Sequence, residues 1–301
     1  MATYLKYSDI PVYANFNALN TAPTTDTAAY MFAVTEASLS IEPILTPNRF
    51  LGGNKTRTNF STTGPAEGKF SMTFFPLIET VAQKKLVINQ QNQLNFFKTT
   101  GDFRNGHQIK ISTFLLKQCY LQNYSVKINA YQPISVTANF IVFDITSITG
   151  TSITATSNIP SVPKDSTQPY YESLHALTTK IDGVSTNIPS TKINIDINVD
   201  CARMPIYQLG SKTPDDVVLN TVDRTTNIQG ENVGQIIGIT GAGAGATTIY
   251  FLPLSEDGKG APSSTNNVLS FDINGIVASQ QLSTSQGSIL NGRVVIKEII
   301  L

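Results

Sequence analysis

One stretch limits the folds open to this chain. It is Thr191 to Gly210, T-K-I-N-I-D-I-N-V-D-C-A-R-M-P-I-Y-Q-L-G. Ile193, Ile195, Ile197, Val199 and Cys201 alternate with Lys192, Asn194, Asp196, Asn198 and Asp200. A period of two sends one set of side chains to a packed face and the other to water, and no helix can separate the two sets. The stretch is expected to be a half-buried antiparallel strand. Pro205, which has no N–H for a ladder, and Gly210, which can turn the chain, are its expected stops. A relative lies earlier. Leu39 to Gly52 (L-S-I-E-P-I-L-T-P-N-R-F-L-G) aligns without a gap on Ile197 to Gly210, 158 residues on. Leu39 meets Ile197, Ile41 meets Val199, Glu42 meets Asp200, and Pro47, Leu51 and Gly52 meet Pro205, Leu209 and Gly210.

A repeated strand in 301 residues suggests two halves, each long enough to bury a core of its own. The expected fold is mainly β: two tandem antiparallel β-sandwich or barrel units, residues 1–160 and 161–301, with one or two short flanking helices. Only 14% of residues are charged, against about 25% in an average protein. Ser, Thr, Asn and Gln fill the deficit, giving a surface that hydrogen-bonds readily and repels its own copies weakly. Lys+Arg and Asp+Glu are equal at 21 each, so no global field attracts nucleic acid or anionic lipid.

In order along the chain, residues 1 to about 30 are polar and Thr/Ala-rich and are expected to form an extended or loosely held leading arm. Strands are expected at Ser38–Leu45 and Lys69–Pro76, joined by a long turn-rich loop over residues 46–68, well beyond ordinary hairpin lengths. Arg49, Phe50, Leu51, Asn59 and Phe60 in that loop are candidates for contact with a neighbouring subunit. Ile78–Thr100 is the best candidate helix, although its L-V-I-N-Q run suits a strand equally. Strands then follow near 109–115, Tyr120–Ala130 and Ile134–Val142, the last two as a hairpin around Tyr131-Gln132-Pro133. The Ser/Thr/Ile/Pro-rich stretch 144–169 is the expected junction of the halves. Tyr171–Thr179 is expected as one or two helical turns. After the central strand come the turn-rich G-S-K-T-P-D-D-V-V-L-N and strand-like runs at 226–239, 247–254, 269–278 and 292–301.

Chemistry is sparse. His107 and His175 are the two histidines and Cys119 and Cys201 the two cysteines, with none of the spacings that hold zinc. The cysteines are expected as buried thiols behaving like small hydrophobes, although a disulfide between them is open. No G-x-S-x-G elbow occurs. Gly241 to Ala246 satisfies G-x-G-x-x-A, but T-T-I-Y-F-L-P-L follows where a dinucleotide site needs a helix, so a hairpin tip is expected. Asn194, Asp196, Asn198 and Asp200 are too strung out along a strand for a calcium cage and are read as a solvated or subunit-facing row. Arg49, Lys55 and Arg57 beside Phe50 and Phe60 are too few cations to define a nucleic-acid surface. No cofactor, metal or catalytic residue is expected. The opening M-A-T-Y-L-K-Y-S-D lacks the features of a signal peptide, and no run has the length of a membrane span, so membrane insertion is not expected.

The strand–long loop–strand module from Ser38 to Pro76, the helix candidate after it, the strands from Tyr120 to Asp144, and Ile193–Gly210 with Val217–Gly230 carry a resemblance. Together the chain resembles the tail tube proteins of tailed bacteriophages and related contractile injection machines. The resemblance implies a virion structural protein, assembled in the cytoplasm of a bacterial host. It implies β-sandwich subunits closing into stacked rings, commonly hexameric, with a long loop from each reaching its neighbours. Its partners would be copies of itself, a tail sheath or other tail proteins, and DNA only as passing cargo. At twice the length of a simple tube subunit, the chain would build rings from six copies or from three. Two alternatives stand beside it: another virion part (collar, baseplate or capsid decoration), and a surface adhesin or carbohydrate-binding β-protein, against which the absence of Trp counts.

Overall fold

The computed structural model describes residues 12–15, 30–31, 34–42, 45–48, 59–62, 67–79, 106–111, 114–129, 132–147, 171–173, 178–181, 188–189, 193–231, 233, 236, 247–251, 269–284 and 289–300. Among them the protein is mainly β, and every strand pairing is antiparallel. Before residue 160 lie β1 (Val12–Asn15), β2 (Tyr30–Met31), β3 (Val34–Glu42), β4 (Leu45–Asn48) and β5 (Asn59–Thr62). They are followed by β6 (Glu67–Phe74), β7 (Leu77–Glu79), β8 (His107–Ile111), β9 (Phe114–Ile128) and β10 (Ser135–Ser147). Beyond it come β11 (Tyr171–Ser173), β12 (Thr178–Ile181), β13 (Ile188–Pro189), β14 (Ile193–Ile206) and β15 (Asp216–Gly230). The last four are β16 (Thr247–Phe251), β17 (Leu269–Ile273), β18 (Ile276–Ser283) and β19 (Asn291–Ile299).

Eleven strands share one sheet, whose main path runs β18-β19-β15-β14-β9-β10-β6-β3, with β8, β1 and β2 branching from β9. Strands from both sides of residue 160 therefore lie in one continuous sheet, through the β9–β14 pairing. The central strand alternates as its sequence requires: Ile193, Ile195, Ile197, Val199 and Cys201 are buried, and the polar row faces outward. The same parity holds in β6, β10 and β15, so Phe70, Met72, Val136, Ala138, Phe140 and Ile228 join one core. Each of these side chains larger than Ala138 contributes about 1.5–3 kcal/mol when removed from water. A second sheet, β13-β12-β16-β17, adds Phe271 and Ile273 to this core.

Within the path, one four-stranded unit occurs twice. The first is β3-β6-β10-β9 and the second β14-β15-β19-β18, so hairpin partner, sheet order and direction repeat. Phe70 pairs with Leu39 on one side and Phe140 on the other; Thr226 pairs with Ile197 and Ile296. Tyr124 pairs with Ala138, and Gln280 with Val294. Phe70 and Thr226, Phe140 and Ile296, and Tyr124 and Gln280 are each 156 residues apart. Leu39 and Ile197 are 158 apart because the connection from β3 to β6 is two residues longer than that from β14 to β15. The 158-residue alignment of Leu39 on Ile197, read from the sequence, matches the pairing.

Several expectations change. Residues 1–30 are not all a loose leading arm: Val12 is buried and β1 pairs along β8. The V-Y-A-N run is too short for its period to stand out. The loop 46–68 is not irregular throughout, because β4 and β5 form a ribbon with Leu45 opposite Thr62 and Asn48 opposite Asn59. Among the described residues that ribbon pairs with no other strand, and it follows the β3–β6 ladder, whose last pair is Glu42 and Glu67, as an arm. Leu77–Glu79, where the helix over 78–100 was expected to begin, is a strand against Tyr171–Ser173; the rest of that helix falls outside the described residues. The helical turns expected over Tyr171–Thr179 are strand at both ends, in keeping with β-branched Thr178, Thr179 and Ile181. Among the described residues, helical backbone is confined to Val233 and Ile236.

Toward the end of the chain, β15 starts at Asp216 rather than near Thr226. The run expected as one strand over 269–278 breaks at Asn274-Gly275, passing from the second sheet into the main one. Glycine is required there, since a Cβ on Gly275 would lie 2.5 Å from the Lys297 carbonyl oxygen. His175, the junction stretch beyond Ser147 as far as Tyr170 and the Gly241–Ala246 run lie outside the described residues.

Candidate assembly interface

The two units are joined by β14 lying along the second half of β9. Ile195 opposes Ile128, Ile197 opposes Val126 and Val199 opposes Tyr124, all buried; on the outward face Asp196 stands opposite Lys127. The ladder ends at Asp200 opposite Asn123. From there β14 and β15 run on together as a second arm through an irregularity at Ala202/Arg203, and β8 takes over the vacated flank of β9. Such a bulge is a common means of bending a strand out of its sheet.

Where β14 departs, Arg203 takes its place: its Nε donates to the Leu121 carbonyl at 2.8 Å, and its guanidinium lies 5.4 Å from the Tyr120 ring centre. Tyr120 and Tyr207 both meet Phe143 edge-on, at 6.1 and 6.5 Å. Burial, and the Glu67 carboxylate beside it, hold the Tyr207 phenol above its usual range. The second unit's arm thus covers Tyr120 and Phe143 of the first and runs beside the exposed Glu67. The arm turns through Gly210 at φ +86°, a backbone conformation that favours glycine.

The outer strands of the path, β3 and β18, are the counterparts of β14 and β9 and have no neighbour on their far sides among the described residues. Their apolar residues show the difference. Ile41 is 49% exposed while its counterpart Val199 is 0% exposed; Leu282 is 58% exposed while Val126 is 0%. The covered patch also recurs uncovered. Ile276 and Ile299, counterparts of Tyr120 and Phe143, are 71% and 76% exposed. With Asp223, counterpart of Glu67, they line a cleft of about 660 Å³. A largely buried ion pair lines the cleft. Glu298 accepts from Arg224 Nε at 3.0 Å, from Arg224 Nη2, and from the Asn274 amide at 3.1 Å. Arg224 Nη2 also donates to the Asp272 carbonyl at 2.6 Å, tying β15, β17 and β19 to the turn that leads into β18.

Of the residues singled out in the sequence, Arg49, Phe50 and Leu51 lie outside the described residues. Asn59 and Phe60 lie on β5, opposite Asn48 and Pro47 on the arm. Sequence reasoning missed Ile41, Ile276, Leu282 and Ile299. Asn274-Gly275 was the available signal, since that dipeptide marks a turn and would have separated β18 from β17.

Buried reactive groups are held inert. His107 and Cys119 face each other across β8 and β9, a couple that elsewhere makes a nucleophile. Here both are in the core: burial pushes the thiol far up, and burial with Arg203 lowers the imidazole to about 4. That is the reverse of thiolate–imidazolium polarity. Cys201 is raised to about 11, chiefly by burial, and both thiols are free and buried, as expected. Among the described residues no cluster of His, Cys, Asp and Glu has metal-site geometry, and no helix is long and apolar enough to cross a membrane. No protein-family model matches this chain, and no curated protein matches its sequence.

Proposed function

We propose that this protein is a virion structural component, the subunit of a phage tail tube, whose chain fuses two copies of one sandwich-like unit that closes into rings. One observation carries the reading: the same four-stranded unit stands twice, side by side, in a single sheet, with strand order and pairing preserved. A unit already joined edge to edge within the chain is suited to joining further copies the same way. Three chains present six units, which favours a trimeric ring that imitates the hexameric ring of the tube family.

The outward face fits a conduit wall. Thr73 and Thr137 share a hydrogen bond at 3.0 Å, and Asn139 donates to Asn123 at 2.5 Å. Asn194 and Asn198 continue this polar face, interleaved with Asp196 and Asp200, and neither kind of group gives a passing polyanion much to hold. Rings would stack axially and receive a sheath or other tail proteins on the outside.

Negative-stain electron microscopy of the purified protein tests the reading. Rings or tubes of stacked rings support it. Monodisperse single particles that bind glycans would favour an adhesin, and rings that never stack would favour a collar or baseplate part.

A further inference from the structure

We infer that one copy docks on the next by repeating, between chains, the joint that already exists within the chain. In it β3 lies along β18 of the neighbour, and the β4–β5 arm fills the neighbour's cleft between Ile276 and Ile299. The inference rests on the assembly reading above and adds to it the surfaces and the register.

The within-chain joint has two parts, a ladder and an arm, and each has an unused counterpart. The ladder is β14 on β9; its counterparts are β3 and β18, at opposite ends of the sheet path. The arm is β14–β15 beyond Asp200; its counterpart is β4–β5, which occupies the same place after β3 and shares Pro47 with Pro205. The seat under the arm is Tyr120 and Phe143, with Glu67 at its exposed rim; its counterpart is the open cleft of Ile276 and Ile299 with Asp223. Donor and acceptor surfaces lie at opposite ends, so the contact runs head to tail, and a rotation that closes gives a ring. What the within-chain joint buries is what the free edges expose: Leu282 and Ile41 stand where Val126 and Val199 are sealed. Apolar residues on an unpaired edge strand invite another strand.

The counterpart positions fix the register. Ile197 opposes Val126 and Asp196 opposes Lys127. Moving β14 back by 158 residues and β9 forward by 156 places Leu39 of one copy opposite Leu282 of the next, and Ser38 opposite Ser283. Facing Cβ atoms in such a pair are about 4.5–5.5 Å apart, close enough for a disulfide to form with small adjustment.

The test is oxidative cross-linking of the full chain carrying Ser38→Cys and Ser283→Cys. Cys119 and Cys201 are buried and do not compete. The expected result is covalent oligomers between copies, absent in each single variant. They should fall at least tenfold in Glu42→Cys with Ser283→Cys, which is four residues, about 13 Å, out of register. A second variant, Ile299→Lys, changes a side chain already in water and should leave circular dichroism unchanged while converting assemblies to monomers in sedimentation velocity. Rings in the microscope with no in-register cross-link, or with equal cross-linking in both pairs, would overturn this interface and leave the assembly reading standing. A wild-type chain that sediments as a monomer at every concentration would remove both.

Discussion

Gln122 and Ala278 are the same position in two copies of one fold. Each is the extra residue of a β-bulge: Gln122 lies between Leu121 and Asn123, which pair with Phe140 and Asn139, and Ala278 between Val277 and Ser279, which pair with Ile296 and Val295. They are 156 residues apart, the spacing that also relates the neighbouring strands. A bulge inserts one residue into one strand and alters the local twist. Two bulges at one spacing, in strands of little sequence identity, mark a duplicated backbone plan. Among the described residues that plan leaves β3 and β18 as unjoined ends.

The central strand should not tolerate a charge on its inner face. Ile197 is buried against Val126 and Thr226 across both ladders. Ile197→Asp places a carboxylate in the apolar face packed against Val126, at a cost above about 4 kcal/mol. Expression as insoluble or unfolded protein is expected. Soluble protein with cooperative wild-type-like melting would contradict the assigned face.

The ion pair beneath the cleft should behave as a unit. Removing one partner, as in Arg224→Met, leaves the largely buried Glu298 carboxylate without the guanidinium it accepts from and should cost about 3–5 kcal/mol. Replacing both with apolar residues should cost less than either single change. A double-mutant cycle in urea checks this, and additive losses would show that the two groups do not act together.

Acid should weaken the fold through His107. Its folded pKa is lowered from 6.5 to about 4, first by burial and then by Arg203. Between those values the unfolded chain takes up a proton that the folded chain refuses. Stability supplied by the neutral imidazole is therefore complete above pH 6.5 and is lost as pH falls toward about 4, by on the order of 3 kcal/mol. Urea unfolding from pH 7.5 to 4 should lose this component in His107→Gln. An unchanged pH slope in that variant would assign the effect to other groups.

Replacing residues 46–62 with a short turn removes the β4–β5 arm without touching the main ladders, since among the described residues the ribbon pairs only with itself. Circular dichroism and melting should stay close to wild type while ring stacking and neighbour contact disappear in sedimentation. Unchanged polymers would mean that the arm has no part in assembly.

The sequence was readable where one period ran long enough. Ile193 to Cys201 announced the central strand, and the match of Leu39 to Gly52 with Ile197 to Gly210 located the repeat. It failed where the signal was short or shared. Val12–Asn15 is too brief to show a period, and Tyr171–Ser173 takes strand form by pairing with Leu77–Glu79, a partner remote in sequence. The second copies of β9 and β10 escaped notice because they keep the backbone and not the side chains: Tyr124 answers to Gln280 and Phe140 to Ile296. The free edges were hidden for the same reason, since an exposed Leu282 means nothing until its counterpart Val126 is seen to be sealed.

The most direct measurement is cryo-electron microscopy of the assembled protein at a resolution that separates strands. The expected image is a closed wall of strands in which the contact between copies superposes on the β9–β14 joint within each copy. A chain standing alone with β3 and β18 both in water, or a ring whose copies meet through other surfaces, would contradict the account.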